Sequence, residues 1–311
     1  MEEVQRIKRQ GSESRQACLD GRVAMELDKV NLNDYTQIGE GGNGKTYVSS
    51  AAPDEILKVN NARLSTWEAV KHEYDVSKAV ASLGIPVPAM YRIVQVGDAY
   101  ATISQRIKGK KSLSRICHDE PERTEEMARL LCRKGKELFA TPCNTEFFPS
   151  RKAQALLAVE RATFVSRKNR EKIRAFIETI PEYTHCVHGD FQTGNIIQAG
   201  ADYYWIDLDR FGYGDPMFDI GHLFLICHIY APMKRVQDIF HMTLEQFHRF
   251  WDAFAKEYTG EEDHSHFDWQ AGRFACLDII LRTKFVSPTW MEKIFFGIYV
   301  RRPVKQYFRN E

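Results

Sequence analysis

The sequence lacks the features that most directly announce a function. Neither charge is in excess: 43 Lys and Arg face 42 Asp and Glu, a formal net charge of +1, so nucleic acid is not expected as a partner. No apolar run approaches the ~20 residues that span a bilayer. The longest, IGHLFLICHIYA, is interrupted by His222 and His228 and ends at Pro232, so it reads as a buried helix, and no membrane partner is expected. Cysteine pairs are also missing. The seven, Cys18, Cys117, Cys132, Cys143, Cys186, Cys227 and Cys276, are odd in number and form no C-x-x-C. The opening stretch MEEVQRIKRQGSESRQ holds no apolar signal core, and together these point to a reduced, cytoplasmic protein. His185 with His188, and His264 with His266, lie close in sequence but gather no further ligands, so structural zinc is not expected. There is no repeat at a fixed period and no low-complexity linker.

What is present concentrates between His188 and Asp219: HGDFQTGNIIQAGADYYWIDLDRFGYGDPMFD. An acid, Asp190, sits in a polar stretch, Asn195 follows five residues later, and the strand-like run YYWI ends at Asp207. Each alone is an ordinary turn or cap residue. As an ordered set they suit one task. Asp190 can align a hydroxyl for attack, while Asn195 and Asp207 offer the oxygen ligands that Mg²⁺ prefers, with waters and phosphates completing its shell.

This segment resembles the catalytic loop and metal-binding segment of the aminoglycoside phosphotransferase and choline kinase superfamily, small-molecule kinases that share the protein-kinase fold. The family's H-G-D-x-x-x-x-N pattern is met by His188, Gly189, Asp190 and Asn195, and its I-D pair by Ile206 and Asp207. The resemblance implies that Asp190 is the catalytic aspartate, that Asn195 and Asp207 bind Mg²⁺, and that Asp219 braces the catalytic loop with His188 in support. One departure is Asp209, where the antibiotic-modifying members often carry Gly.

Upstream, YTQIGEGGNGKTYVSS satisfies three motifs. Gly39, Gly41 and Gly44 fit G-x-G-x-x-G of the dinucleotide or the kinase kind, and Gly39 to Thr46 also fit the P-loop pattern. A P-loop or dinucleotide fingerprint opens a helix onto the phosphates. Here the β-branched and aromatic Thr46-Tyr47-Val48, a turn at Ala52-Pro53-Asp54 and the strand-like Ile56 to Val59 follow instead. Strand, glycine loop, strand, turn, strand is the kinase order. In it Gly39, Gly41, Gly42, Asn43 and Gly44 cover the nucleotide's phosphates and Lys58 pairs them. Ser65-Thr66-Trp67-Glu68 reads as a capping box opening a helix that stops at Gly84 and Pro86, and Glu73 within it is the candidate partner of Lys58. The alternating AYATISQRI then runs into Gly109 like a kinase hinge, so backbone at Gln105, Arg106 and Ile107 is expected to meet the adenine edge.

From Pro121 onward the pattern is helical. The expected fold is α+β and two-lobed, protein-kinase-like: a possibly mobile extension over 1–22, an antiparallel-sheet nucleotide lobe with one helix over 23–106, and a mainly helical lobe over 107–311 carrying the catalytic loop and acceptor site. A protein kinase has Arg between the catalytic-loop His and Asp and a long activation segment. This chain has Gly189 there, and only eleven residues between Asp207 and Asp219. The function expected is therefore transfer of the ATP (or GTP) γ-phosphoryl group, with Mg²⁺, to a hydroxyl of a small molecule: aminoglycoside-like, amino alcohol or sugar. A kinase-like protein that binds nucleotide without catalysis, and less readily a P-loop NTPase, are the alternatives. Trp251, Trp269, Trp290, Phe295, Phe296 and Tyr299 read either as core or as a face for the acceptor. Glu261, Glu262, Asp263 and Asp278 are candidates to neutralise an amine-rich one. Oligomeric state is not legible.

Overall fold

The computed structural model describes residues 27–41, 44–285 and 290–308. The extension expected over 1–22, and Gly42 and Asn43 of the glycine loop, lie outside the described residues. The rest is an α+β fold: an antiparallel N-terminal sheet, then a helical C-terminal part. It clusters as two units, one holding the described residues up to Lys71 with Tyr91–Ser104, the other His72–Met90 with Gln105 onward.

The first unit is a five-stranded sheet in the order β1-β2-β3-β5-β4, made of β1 (Thr36–Gly41), β2 (Gly44–Ser49), β3 (Ala52–Asn60), β4 (Met90–Val96) and β5 (Ala99–Gln105). Strand alternation turns Leu57, Val94, Ala101 and Ile103 into one buried cluster. The strands β1 and β2 pair antiparallel, as do β2 and β3. Gly44 faces Asn60 so closely that a Cβ would stand 2.3 Å from the Val59 carbonyl oxygen, which only glycine tolerates. A strand, not a helix, follows Lys45, so the P-loop alternative is excluded.

The helix α1 (Trp67–Ser82) is capped one residue later than expected: Thr66 Oγ1 accepts from the Ala69 N–H at 3.3 Å, while Ser65 donates to the Ala62 carbonyl. It stops where expected, at Gly84 with φ +79°.

The second unit contains α2 (Leu113–Asp119), α3 (Thr124–Phe139), α4 (Arg151–Arg161), α5 (Arg167–Thr179), α6 (Met217–Phe224), α7 (Lys234–Phe240), α8 (Leu244–Thr259), α9 (Ser265–Phe285) and α10 (Trp290–Tyr307). Two small sheets frame the polar segment. The strand β7 (Cys186–Val187) pairs with β10 (Gly212–Tyr213), and β8 (Ile196–Ala199) lies between β6 (Lys111–Ser112) and β9 (Asp202–Trp205). The loop of interest therefore hangs between β7 and β8, pinned at both ends by strand pairing. The apolar run after Asp219 is buried as expected, but past α6 it unwinds into a π-helical turn, Leu225–Tyr230.

The cap of α8 is complete. Thr243 Oγ1 accepts from the Gln246 N–H, Gln246 returns a bond to the Thr243 N–H, and Gly260 closes the helix at φ +75°. Trp251 is core, 1 % exposed, with its indole N–H on Asp268 at 2.8 Å. Trp269 is 41 % exposed. The side chains of Trp290, Phe295, Phe296 and Tyr299 lie outside the described residues. All six described cysteines are unpaired, and no described helix is long and apolar enough to cross a membrane.

The helices α6 and α9 touch backbone to side chain at Gly221, where a Cβ would fall 2.4 Å from the Phe274 Cβ. Such overpacking costs about 1–3 kcal/mol. We expect Gly221→Ala to lower the unfolding free energy by that amount, seen as a lower urea midpoint at unchanged m-value, and an unaltered midpoint would refute the close crossing.

Candidate active site

The site is built on a buried carboxylate. Asp219, in the first turn of α6, is fully buried; its Oδ2 accepts from the His188 N–H at 2.6 Å and its Oδ1 from the Gly189 N–H at 2.7 Å. Burial pushes this carboxyl up to about 6, against those two bonds and the charge of Arg151. Gly189 is required where it stands. Its φ is +78°, and a Cβ would lie 2.0 Å from the Arg210 carbonyl oxygen.

His188 is equally buried. Its Nε2 lies 3.0 Å from the Ile206 carbonyl and its Nδ1 accepts from the Asp190 N–H at 3.3 Å, so the ring is a neutral tautomer with its proton on Nε2. Burial, outweighing the nearby Asp190 charge, draws its titration down to about 4. The imidazole is thus a spacer tying the backbone of this loop to Ile206, the residue after β9.

Asp190 and Asn195 meet directly. The Asn195 Nδ2 donates to the Asp190 backbone oxygen at 2.9 Å and to Asp190 Oδ2 at 2.8 Å. With both amide hydrogens committed to Asp190, the Oδ1 lone pairs are what Asn195 can offer a cation. The Asn195 carbonyl accepts from the Ile206 N–H at 2.9 Å, which sets Asp207 one residue from that bond. Asp207 holds a left-handed φ of +62°, a strained geometry that clusters at functional sites. Amide and carboxylate oxygens are hard donors, which suit Mg²⁺ better than they suit a softer metal.

A second group of side chains approaches Asp190 from helices far along the chain. Its Oδ1 lies 3.1 Å from His222 Nε2, 3.0 Å from Arg282 Nη2 and 3.9 Å from Arg210 Nη1. Behind them the buried Asp278 Oδ2 takes His222 Nδ1 at 2.8 Å and Arg282 Nε at 2.8 Å. Burial would raise the Asp190 carboxyl, but His222, then Arg282 and Arg210, hold it well below the usual carboxylate range. Burial and Arg282 likewise press His222 down, and Asp278 and Asp190 outweigh them, so it titrates above its ordinary value.

His222 and Arg282 are not among the site residues expected from the sequence. Asp278 is there a candidate to neutralise an amine, and its surroundings contradict that role: it is 3 % exposed and already shared by His222 and Arg282. Nor do its proposed companions gather with it. Glu262 pairs with Lys256 at 3.0 Å, and Asp263 accepts from the Ser265 N–H. A signal for the cluster was present, since His222 and Asp278 are polar interruptions of apolar helical runs and buried charge demands a partner. His264 is held by Asp252 and Asp268.

The remaining expected residues lie elsewhere. Gly39, Gly41 and Gly44 belong to β1 and β2, and Lys58 is half-buried on β3 opposite Thr46, all in the first unit. Glu73 is half-buried on α1. At the expected hinge, Gln105 is committed to Ala89, donating its N–H at 2.8 Å and accepting with Oε1 at 3.2 Å, and Ile107 is buried. Arg106 is half-buried beside them.

The phosphotransferase enzyme family (APH) matches residues 34–273. The chain belongs to that family. Among solved structures it is similar to a thermostable mutant of aminoglycoside phosphotransferase APH(4)-Ia bound to AMP-PNP and hygromycin B, at 15 % identity and TM-score 0.58 over 89 % of this chain and 95 % of that one. A choline/ethanolamine kinase family protein from Mesorhizobium loti gives 13 %, 0.55, 96 % and 94 %. The GDP complex of wild-type aminoglycoside 2'-phosphotransferase-IIIa gives 14 %, 0.54, 94 % and 98 %. At such identities the likeness carries the fold alone. No curated protein sequence matches this phosphotransferase-family chain significantly.

Because His188 titrates near 4 when folded and near 6.5 when unfolded, the unfolded chain binds the extra proton and the stability it contributes is lost as pH falls below 6.5. Asp219, raised to about 6, works in the opposite sense over part of that range. We therefore compare His188→Gln with wild type at each pH. The penalty of the substitution, from chemical denaturation, is expected to be smaller at pH 5 than at pH 7, and a penalty independent of pH would contradict a neutral buried imidazole.

Proposed function

We propose that this chain is a kinase of small molecules, moving the γ-phosphoryl group of a nucleotide, ATP or GTP, to an acceptor hydroxyl. The observation that carries the reading is the Asp190–Asn195 pair: one carboxylate oxygen fixed by the amide at 2.8 Å, beside Asp207, in a loop anchored through Asp219. The eleven residues between Asp207 and Asp219 leave little room for a peptide platform, which favours a small acceptor.

In this reaction Asp190 aligns the acceptor hydroxyl by accepting its hydrogen bond. The transition state of phosphoryl transfer is loose, so positioning and charge neutralisation contribute more than proton removal. Asn195 and Asp207 would hold Mg²⁺, which when bound neutralises charge on the phosphates. The roles of Gly39 to Gly44, Lys58 and Glu73 toward the phosphates, and of Gln105, Arg106 and Ile107 toward the base, follow from the family resemblance. The acceptor is aminoglycoside-like, an amino alcohol or a sugar.

Asp190→Ala is expected to leave nucleotide binding nearly intact while turnover falls by about 10²-fold or more, read as nucleoside diphosphate release across a panel of hydroxyl acceptors. Transfer at the wild-type rate by that variant would refute the role. In calorimetric titration Asp207→Ala should bind Mg²⁺–nucleotide more weakly than wild type binds the same Mg²⁺–nucleotide. Undiminished affinity there would remove Asp207 from the metal site.

A further inference from the structure

We propose that Arg282 and His222, fixed together by Asp278, are positioning residues that set the rotation of the Asp190 carboxylate for the acceptor hydroxyl. The inference rests on the reading of Asp190 given above and extends it to residues on α6 and α9. The geometry is a bracket. Asn195 takes Oδ2 at 2.8 Å, while Arg282 Nη2 and His222 Nε2 take Oδ1 at 3.0 and 3.1 Å, so both oxygens are tied from opposite sides and the carboxylate cannot turn about its last bond without breaking a contact.

The bracket is itself built on a rigid base. Asp278 Oδ2 receives His222 Nδ1 and Arg282 Nε, each at 2.8 Å, so the two cations are aimed by one buried carboxylate. Each of the imidazole nitrogens faces a carboxylate, and the Arg282 guanidinium lies against the same ring. The Arg282 guanidinium lies between two carboxylates, Asp190 and Asp278, which lets those charges sit in the interior. The helices α6 and α9 are locked by the Gly221–Phe274 contact, so a side chain one turn along α9 from Asp278, Arg282, reaches Asp190 without a flexible loop intervening. A supporting shell on rigid elements is what precise alignment requires.

The first test reads the contact and not the activity. Side-chain ¹⁵N NMR of the arginine guanidinium groups, assigned by Arg282→Lys, is recorded for wild type and for Asp190→Asn. The Arg282 signals should move when the Asp190 charge is removed; unmoved signals would overturn the bracket whatever the enzyme does. The second test uses Mg²⁺–ATP and Mg²⁺–GTP, each with the panel of hydroxyl acceptors, water included. In Arg282→Gln and His222→Gln, each confirmed folded by thermal unfolding, kcat should fall about 10- to 10²-fold, the scale of a small misplacement of a reacting group, while KM for the nucleotide stays within about twofold. Arg282→Lys should restore part of kcat. Unchanged kcat, or a rise in KM alone, would overturn the positioning role. If the guanidinium signals shift but wild type turns over no nucleotide with any acceptor, the kinase reading falls and the catalytic use of the bracket falls with it.

Discussion

The structure of this site depends on one buried carboxylate accepting two backbone N–H groups. Asp219 reaches back 31 residues to His188 and 30 to Gly189 at 2.6 and 2.7 Å, and those bonds join α6 to the loop between β7 and β8. An unpaired buried carboxylate would cost several kcal/mol, and two unpaired buried N–H groups would add to that. Pairing them satisfies the two N–H groups, offsets part of the carboxylate's burial cost and fixes where the loop begins. From that point, local chemistry carries the geometry outward. Gly189 turns the chain at a positive φ that no side chain could share with the Arg210 carbonyl, and His188 bridges to Ile206. Asn195 closes back on Asp190.

Much of this was legible in order and spacing. The ordered set from His188 to Asp219 marks the candidate site because each member has a local job: a glycine for a turn, an asparagine for a cap on the loop's own aspartate, an acid in a helix's first turn. The glycine stretch was ambiguous as a motif, and its neighbours resolved it, since Thr46-Tyr47-Val48 is β-favouring and β2 forms there. Local signals also misled by small amounts. Ser65 and Thr66 both satisfy a capping pattern, and the cap falls on Thr66 because the helix starts at Trp67.

The Asp190 bracket was not legible, for a physical reason. His222 lies 56 residues from Asp278 and 60 from Arg282, and nothing local says which way a helical residue points until the helices pack. Asp278 is one of four acids offered from the sequence to neutralise an amine, whereas its neighbours Ala275, Cys276, Leu277, Ile279 and Ile280 are all buried. A carboxylate in such a run has to find a cation, and the sequence contains too many arginines to choose among. Trp251 shows the same limit in reverse. An aromatic stripe serves a ligand face as readily as a core until Phe254 and Phe267 are seen stacked on it.

The electrostatics of Asp190 bear on what kind of chemistry it can do. Held by Asn195 and flanked by His222, Arg282 and Arg210, the carboxylate titrates well below its ordinary range, so it is a weak base at neutral pH. For a reaction that needs full proton removal before attack, that would be a poor choice. A loose phosphoryl transfer makes a smaller demand, because bonding to the nucleophile is slight at the transition state and the hydroxyl proton is still largely in place. A carboxylate kept ionised and rotationally fixed then suits the role proposed for Asp190, presenting one lone pair in one direction, better than a stronger base free to turn. The cations around Asp190 therefore oppose base strength and favour alignment, which is consistent with a site organised for orientation.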